Sequence, residues 1–543
     1  MRTVQATMSD VMCNGEEEEI SLDCDYLIVG AGAGGMSFAD VILSDSAHTV
    51  ILVDRNAAPG GHWVHAYQFV RLHQPGSYYG VASEPLTPPD DPNYRNTGAE
   101  IVAYYAHVLA KLVGSGRARF YGGCDYRGDG TFRSSDGAGR RRAYRVRVRK
   151  RIVDSTYQDI TVPATRGPRF PVASAATLRP VNALHGLRRS ASPTRGTGPV
   201  DAATRFVVLG GGKTGVDAVL HLLSAVGVAP ARITWIVSRD PWLTVRFPYV
   251  DAAEVLLHGT DMLLHFRGGA TVAEFLHRQE AAGMYARLDP DVEPTASRCA
   301  TVGREELTTL RRLRSRIVRQ GRVVAIEPHR VVLERGPPLP FDAAATLFVD
   351  CTADGLPQRA PVPIWQSEKT GGGAAAHGTI VLQPVAMCLT AFSAAAIAKA
   401  ELLCGATGDD RDRETFDMRV VPRPVRVGDE VRALLYAMNN VGRWRKIPEF
   451  AAWMEQCRLY YLWHTSRTTM VRLLLRMPMI LLHLEECGET MNRICRQHDP
   501  DFAYVPLLPG VEPGAMKNGG RIAVSVLVAV GALVGYAAYS AIL

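Results

Sequence analysis

The sequence is short of cysteine: ten residues are scattered over 543, with no Cys-x-x-Cys pair anywhere. That argues against a disulfide framework and a cysteine-built zinc site, and it fits a reduced, cytosol-facing compartment. Excess charge of either sign is also scarce. Lys and Arg number 61 against 54 Asp and Glu, a net +7 diluted over the whole chain. The densest basic run is Arg140, Arg141, Arg142, Arg145, Arg147, Arg149, Lys150 and Arg151, and from 144 to 153 basic residues alternate with Val and Ile. Such alternation marks a strand with one wet face, so no nucleic-acid partner is expected. The N-terminus lacks the charged-then-apolar pattern of a signal peptide and carries an acidic run at 16–19 instead. Residues 1–22 read as a solvated tail.

One long uncharged run stands out, at 522–543, with Lys517 and Arg521 just before it. As a helix its 22 residues span about 33 Å, enough for a hydrocarbon core of about 30 Å. It is expected to be a C-terminal transmembrane helix, a single-pass membrane anchor with the rest of the chain facing the cytosol. Gly531 and Gly535 form a small-xxx-small pair through which two such helices could pack into a homodimer. Residues 470–484 are also apolar but contain Arg472, Arg476 and Pro478, so they should not span a bilayer. A core or substrate-covering helix is the expected outcome there. His483 and Cys487 lie one helical turn apart, but no third ligand accompanies them, and no metal is predicted.

Among the 50 glycines, two clusters share one spacing. The first, Gly30-Ala31-Gly32-Ala33-Gly34-Gly35, follows an apolar run at 25–29 and opens a helical pattern at 34–43. A second strand at 49–54 ends in Asp54. This is the strand–turn–helix context that a Gly-x-Gly-x-x-Gly dinucleotide site needs: a tight turn, close backbone approach to a pyrophosphate, and a helix N-terminus facing the phosphates. Asp54 stands where ribose hydroxyls want a carboxylate and would repel a 2′-phosphate, so FAD or NAD suits this unit.

The second cluster, Gly210-Gly211-Gly212-Lys213-Thr214-Gly215, follows a strand at 205–209 and precedes a helix at 216–225 and a strand at 232–237. A Walker A loop would need a glycine at 207, which is Val, so an ATPase is rejected. This unit's second strand ends in Ser238-Arg239 rather than an acid, which suits the 2′-phosphate of NADPH. Two such units imply one resident and one visiting cofactor, with FAD on the first and NADPH on the second. Elsewhere, 59–92 is turn-rich, 100–112 is helical, and 117–160 is read as antiparallel strands. Residues 164–203 read as a linker with a surface loop, a strand is expected at 346–350, and 390–515 should be mostly helical.

With these motifs, the Gly60-Gly61-His62-Trp63 turn after Asp54 and the segment Asp350-Cys351-Thr352-Ala353-Asp354-Gly355 resemble the flavin-dependent monooxygenase superfamily over roughly 23–400. The resemblance implies an α/β protein with two Rossmann-type dinucleotide-binding domains, the NADPH domain inserted in the FAD domain. The expected divisions are an FAD-binding part at 23–200, an NADPH-binding domain at 201–340, a return to the FAD domain at 341–409, a helical region at 410–515 and the anchor at 522–543. It implies that His62, Trp63, Ala353 and Asp354 join the two glycine turns in holding cofactors. It also implies that NADPH reduces FAD, and that molecular oxygen added to the reduced flavin oxygenates a small-molecule substrate. In such folds a stretch like 70–80 runs past the flavin ring, making Arg71, His73 and Gln74 candidate catalytic groups. The chain departs from the Baeyer–Villiger pattern: 163–184 lacks the fingerprint's closing His and Trp. It also lacks the Cys-x4-Cys of disulfide reductases. An NADPH dehydrogenase serving a quinone or protein acceptor, or a membrane-tethered FAD-binding protein without catalysis, are the competing readings.

Overall fold

Strands β1 (Glu19–Val29) and β2 (Val50–Asp54) are buried on both faces where they carry apolar runs, the profile of a parallel sheet covered on both sides. The computed structural model describes residues 19–87, 91, 93–134, 142–187, 204–246, 259, 261–353, 359–366, 378–386, 390–405, 416, 418–423, 426, 428–460 and 467–507, with side chains of the last segment described from 482 on. Between β1 and β2 lies helix α1 (Ala33–Asp45). Helix α2 (Gly98–Gly114) follows, started by a Thr97–Glu100 capping box. The sheet is completed by β3 (Ala118–Gly122), β4 (Ala143–Asp154) and a returning strand at Thr379–Val381. Its parallel order runs from that returning strand through β4, β1 and β2 to β3.

The second sheet repeats the plan. It uses β5 (Thr177–Pro180), β6 (Arg205–Leu209), β7 (Ile233–Ile236), β8 (Ile317–Val318) and β9 (Thr346–Asp350), with α3 (Lys213–Leu220) after β6. The order is β5-β9-β6-β7-β8, again all parallel. In both units alternate strand residues point to opposite faces. Ile28, Leu52 and Val153 pack under α1, while Leu27, Val53 and Ile152 meet a hairpin carrying Phe132. Phe206, Val208 and Trp235 pack under α3, while Val207, Leu209 and Ile236 meet a three-stranded meander carrying Val331 and Leu333. Each unit is thus a helix layer, a parallel sheet and a β layer.

Several expectations change. Within 117–160, β3 runs parallel to β2 and β4 parallel to β1, and antiparallel pairing is confined to the hairpin at Cys124–Gly128 and Thr131–Ser134 and its edge with β4. The expected linker 164–203 contains β5, pinned by parallel pairing with β9. The tail stops short of 22 because Glu19 already opens β1. There Glu19 pairs with Arg145, and Arg149 pairs with Asp23 and, at 2.9 Å, with Asp25. Those pairs neutralise Arg145 and Arg149 of the basic run, and Arg151 is buried against Glu401 at 3.1 Å. The strand 346–350 forms as expected, yet it pairs with β6 in the second sheet. The chain re-enters the first sheet only at Trp365–Gln366 and Thr379–Val381.

Helices α4 (Thr390–Gly405), α5 (Asp429–Trp444) and α6 (Arg467–His498) supply the helical region. The helix α6 passes through Pro478 without a break. Its Cys487 is buried in an apolar cluster while His483 pairs with Glu486 at 3.2 Å, so the two do not converge. Among the described residues, no group of three or more His, Cys, Asp or Glu could hold a metal ion. The expected anchor 522–543, with Gly531 and Gly535, lies outside the described residues. Among those described, no helix is long and apolar enough to cross a membrane.

Candidate functional site: two glycine turns joined by one strap

Both turns are built the same way. Gly30 and Gly210 have φ of +97° and +118°, a region that disfavours side chains. Their N–H groups donate to Val53 O at 2.8 Å and Ile236 O at 3.0 Å. An added Cβ on Gly35 or Gly215 would lie 1.9 Å from the carbonyl oxygen of Gly30 or Gly210, so only glycine lets helix and strand approach this closely. Gly34 is buried at the start of α1, 3.2 Å (from an ideal Cβ) from Ser155 Oγ. Gly32 and Gly212 are the N-caps of α1 and α3, and neither helix has a side-chain cap. Their first-turn N–H groups therefore face outward as anion donors.

A third strand end completes each turn, and its repetition was missed in the sequence. After β4 comes Asp154-Ser155-Thr156; after β9 comes Asp350-Cys351-Thr352. In each, Asp Oδ1 accepts from the Thr N–H and hydroxyl, at 2.7 and 2.7 Å in the first and 2.9 and 2.6 Å in the second. Ser155 N–H donates to Val29 O and Cys351 N–H to Leu209 O, both at 3.0 Å. The Asp-x-Thr repeat after an apolar strand was the available signal. Ala353, half-buried, therefore stands by the second turn, and Asp354 lies outside the described residues.

The units differ at the tip of their second strand. Buried Asp54 accepts from Ala31 N–H at 2.6 Å and Asn56 N–H at 2.7 Å, which fixes its carboxylate over the first turn. In the second unit Ser238 and Arg239 are half-buried. Asp240, the obvious partner for Arg239, is taken by Arg319 at 2.8 and 3.2 Å. Arg239 makes no ion pair or side-chain hydrogen bond among the described residues.

A strap at 60–73 lies across both turns. Gly60 N–H donates to Ala31 O at 2.9 Å, and a Cβ on Gly61 would come within 3.0 Å of Gly32 Cα. His62 and Trp63 follow, their rings 5.0 Å apart, and Trp63 Nε1–H donates to the Tyr79 hydroxyl at 2.7 Å. Tyr67 then donates to Asp217 Oδ2 at 2.6 Å, while Lys213 pairs with Asp217 Oδ1. Phe69 stacks on His221 at 4.0 Å and 9°. The turn-rich composition of this region concealed the strap, and Tyr67 and Asp217 were not foreseen.

His62 and His73 are half-buried, and desolvation there lowers each pKa to about 4. For His73, repulsion from Lys213, Arg246 and Arg95 adds to burial. Arg246 donates to His73 O at 3.2 Å and pairs with Glu306 at 3.1 Å; Arg95 reaches Glu306 at 3.7 Å. Of the three candidate catalytic groups, His73 thus sits in a cationic corner beside the second turn. Gln74 is half-buried, while Arg71 is exposed and donates to Arg95 O at 2.9 Å. Thr214, beside Lys213, faces the Tyr67 hydroxyl.

No protein-family model matches the chain. Among solved structures it is similar to a flavin-containing monooxygenase from Stenotrophomonas maltophilia (16% identity, TM-score 0.39, 71% of this chain and 99% of that one). It is also similar to a polycyclic ketone monooxygenase from Thermothelomyces thermophila (14% identity, TM-score 0.47, 86% of this chain and 89% of that one). In sequence it is 38% identical over 459 residues to uncharacterized protein Rv2000 of Mycobacterium tuberculosis and to uncharacterized protein Mb2023 of Mycobacterium bovis, covering 81% of this chain and 78% of each of theirs. At that identity and coverage, the chain belongs to the family of these mycobacterial proteins.

Proposed function

We propose that the chain is an FAD-dependent, NADPH-consuming monooxygenase of a small organic substrate, with FAD on the turn at 30–35 and NADPH on the turn at 210–215. The observation that carries this reading is one glycine turn built twice with opposite chemistry beside it: an acceptor, Asp54, at the first and, at the second, a cation, Arg239, that has no ion pair among the described residues. FAD fits the first unit because the uncapped N-terminus of α1 offers donors to a pyrophosphate and Asp54 keeps lone pairs for ribose hydroxyls. NADPH fits the second because Ser238 and Arg239 can hold a 2′-phosphate, with Gly210, Gly212, Lys213, Thr214 and Gly215 at the pyrophosphate.

When bound, FAD would accept hydride from NADPH and pass electrons to oxygen. The chain's own part is positional. The strap covers the first turn, His62 and Trp63 exclude water there, and His73 stays neutral at physiological pH. Anaerobic reduction of purified protein with NADPH, followed by mixing with oxygen, tests the reading. A lag between oxygen addition and return of the oxidised-flavin spectrum is expected. Immediate return favours transfer to a quinone or protein acceptor, and a flavin that NADPH does not bleach contradicts the reading.

A further inference from the structure

One face of the α3 helix is given over to the strap. Lys213, Asp217 and His221 follow at four-residue spacing, which brings them onto a single side. His221 opens a π-turn that continues α3 and lays its ring flat on Phe69. Asp217 is the pivot. One carboxylate oxygen takes Lys213 at the second turn; the other takes Tyr67 of the strap at 2.6 Å. The carboxylate side chain is only 13% exposed, so solvent cannot fully replace either donor. The strap in turn is fixed to the first turn through Gly60 and Gly61.

We propose that Asp217 is a positioning residue coupling the two nucleotide turns, so that a phosphate arriving at the second turn tightens the strap over the first. The inference rests on reading 210–215 as a nucleotide turn. Beside Gly212 there is open space: a Cβ placed there meets nothing within 4 Å. An anion in that space competes with Asp217 for the Lys213 ammonium. As Lys213 turns to the phosphate, Asp217 keeps its charge but loses its cation, and its remaining hydrogen bond from Tyr67 strengthens. The strap segment carrying His62, Trp63 and His73 is then held more firmly.

Hydrogen–deuterium exchange of the strap in full-length protein, with and without NADP+, reads this directly. In the wild type, NADP+ should slow exchange at 62–73 about fivefold or more, the low end of ordinary coupling between sites. Tyr67→Phe and Asp217→Asn should still bind NADP+ yet show no such protection. Lys213→Met should bind NADP+ more weakly and lose the protection, and Lys213→Arg should restore both. Wild-type protein that binds NADP+ with unchanged exchange at 62–73, or equal protection in Tyr67→Phe, overturns the coupling alone. Absence of NADP+ binding to the wild type overturns the nucleotide reading as well.

Discussion

The strap meets the turn at 30–35 with its own backbone, whereas at the turn at 210–215 the space beside Gly212 is open. Above Gly32 lies Gly61, whose Cα is 3.5 Å from an ideal Gly32 Cβ; beside Gly212 nothing among the described residues lies within 4 Å. The backbone construction is otherwise shared down to the Asp-x-Thr segment that closes each turn. A covered site favours a retained ligand and an open one an exchanging ligand, so on the function proposed above the surroundings rather than the motif would divide the labour. The charge at the second-strand tips points the same way, with Asp54 fixed by two backbone donors and Arg239 without an ion pair among the described residues, its neighbour Asp240 being held by Arg319.

The largest expected effect separates the units by breaking each in turn. Gly35→Ala and Gly215→Ala each put a Cβ 1.9 Å from a backbone oxygen, a strain of about 3 kcal/mol if overpacking is at the high end of its usual range. Gly35→Ala should purify without the yellow chromophore; Gly215→Ala should keep it and lose reduction by NADPH. Thermal unfolding and flavin absorbance check this, and flavin loss from both variants would break the division between units.

Arg239→Ala comes next. Loss of one charge-assisted phosphate contact, about 1.5–3 kcal/mol, weakens apparent NADPH affinity roughly 10- to 150-fold. NADH should change little. Equal losses for both coenzymes would mean that the second sheet has been damaged rather than its phosphate site.

A smaller effect lies in pH dependence. His62 and His73 have pKa values lowered from 6.5 to about 4, so each favours the folded state most when neutral. Their stabilising contribution is fully present above the unfolded value near 6.5 and is lost as pH falls towards 4. The cause differs between the two: burial alone for His62, burial plus Lys213, Arg246 and Arg95 for His73. Lys213→Met should therefore raise the His73 pKa and leave His62 where it is, as followed by NMR titration of the histidine ring protons. Equal movement of both rings would remove the distinction.

How far the sequence could be read depended on whether the determinant was local. Each glycine turn lies within six residues, and its strand and helix adjoin it, so both turns and the strand 346–350 were legible. Strand β5 was not, because four residues inside a Pro- and Arg-rich stretch become a strand only by pairing with β9, far along the chain. The same non-locality placed 346–350 in the second sheet rather than the first. In the strap, Arg71 and His73 are two residues apart and were read alike. An extended chain turns side chains two residues apart to the same side, but here Arg71 donates to Arg95 O and is exposed, while Arg246 holds the His73 backbone oxygen and keeps that residue near α3.

The smallest effect on either unit should come from the C-terminus. If 522–543 is the anchor its composition suggests, protein ending at 520 should remain yellow and NADPH-reducible. Full-length protein is expected to pellet with membranes and resist carbonate extraction. Loss of flavin on truncation would instead make the segment part of the folded core.

The most direct test of the two-site account uses the asymmetry between Gly32 and Gly212. Gly212 has φ −82° and an unobstructed Cβ direction, so valine there fits the protein and interferes only with a ligand. Titrated anaerobically with NADPH, wild-type protein should bleach one flavin per equivalent. Gly212→Val should carry a full complement of FAD that NADPH fails to bleach, and Gly32→Val should carry none. A colourless Gly212→Val beside a yellow Gly32→Val would contradict the assignment of FAD to the first turn and NADPH to the second.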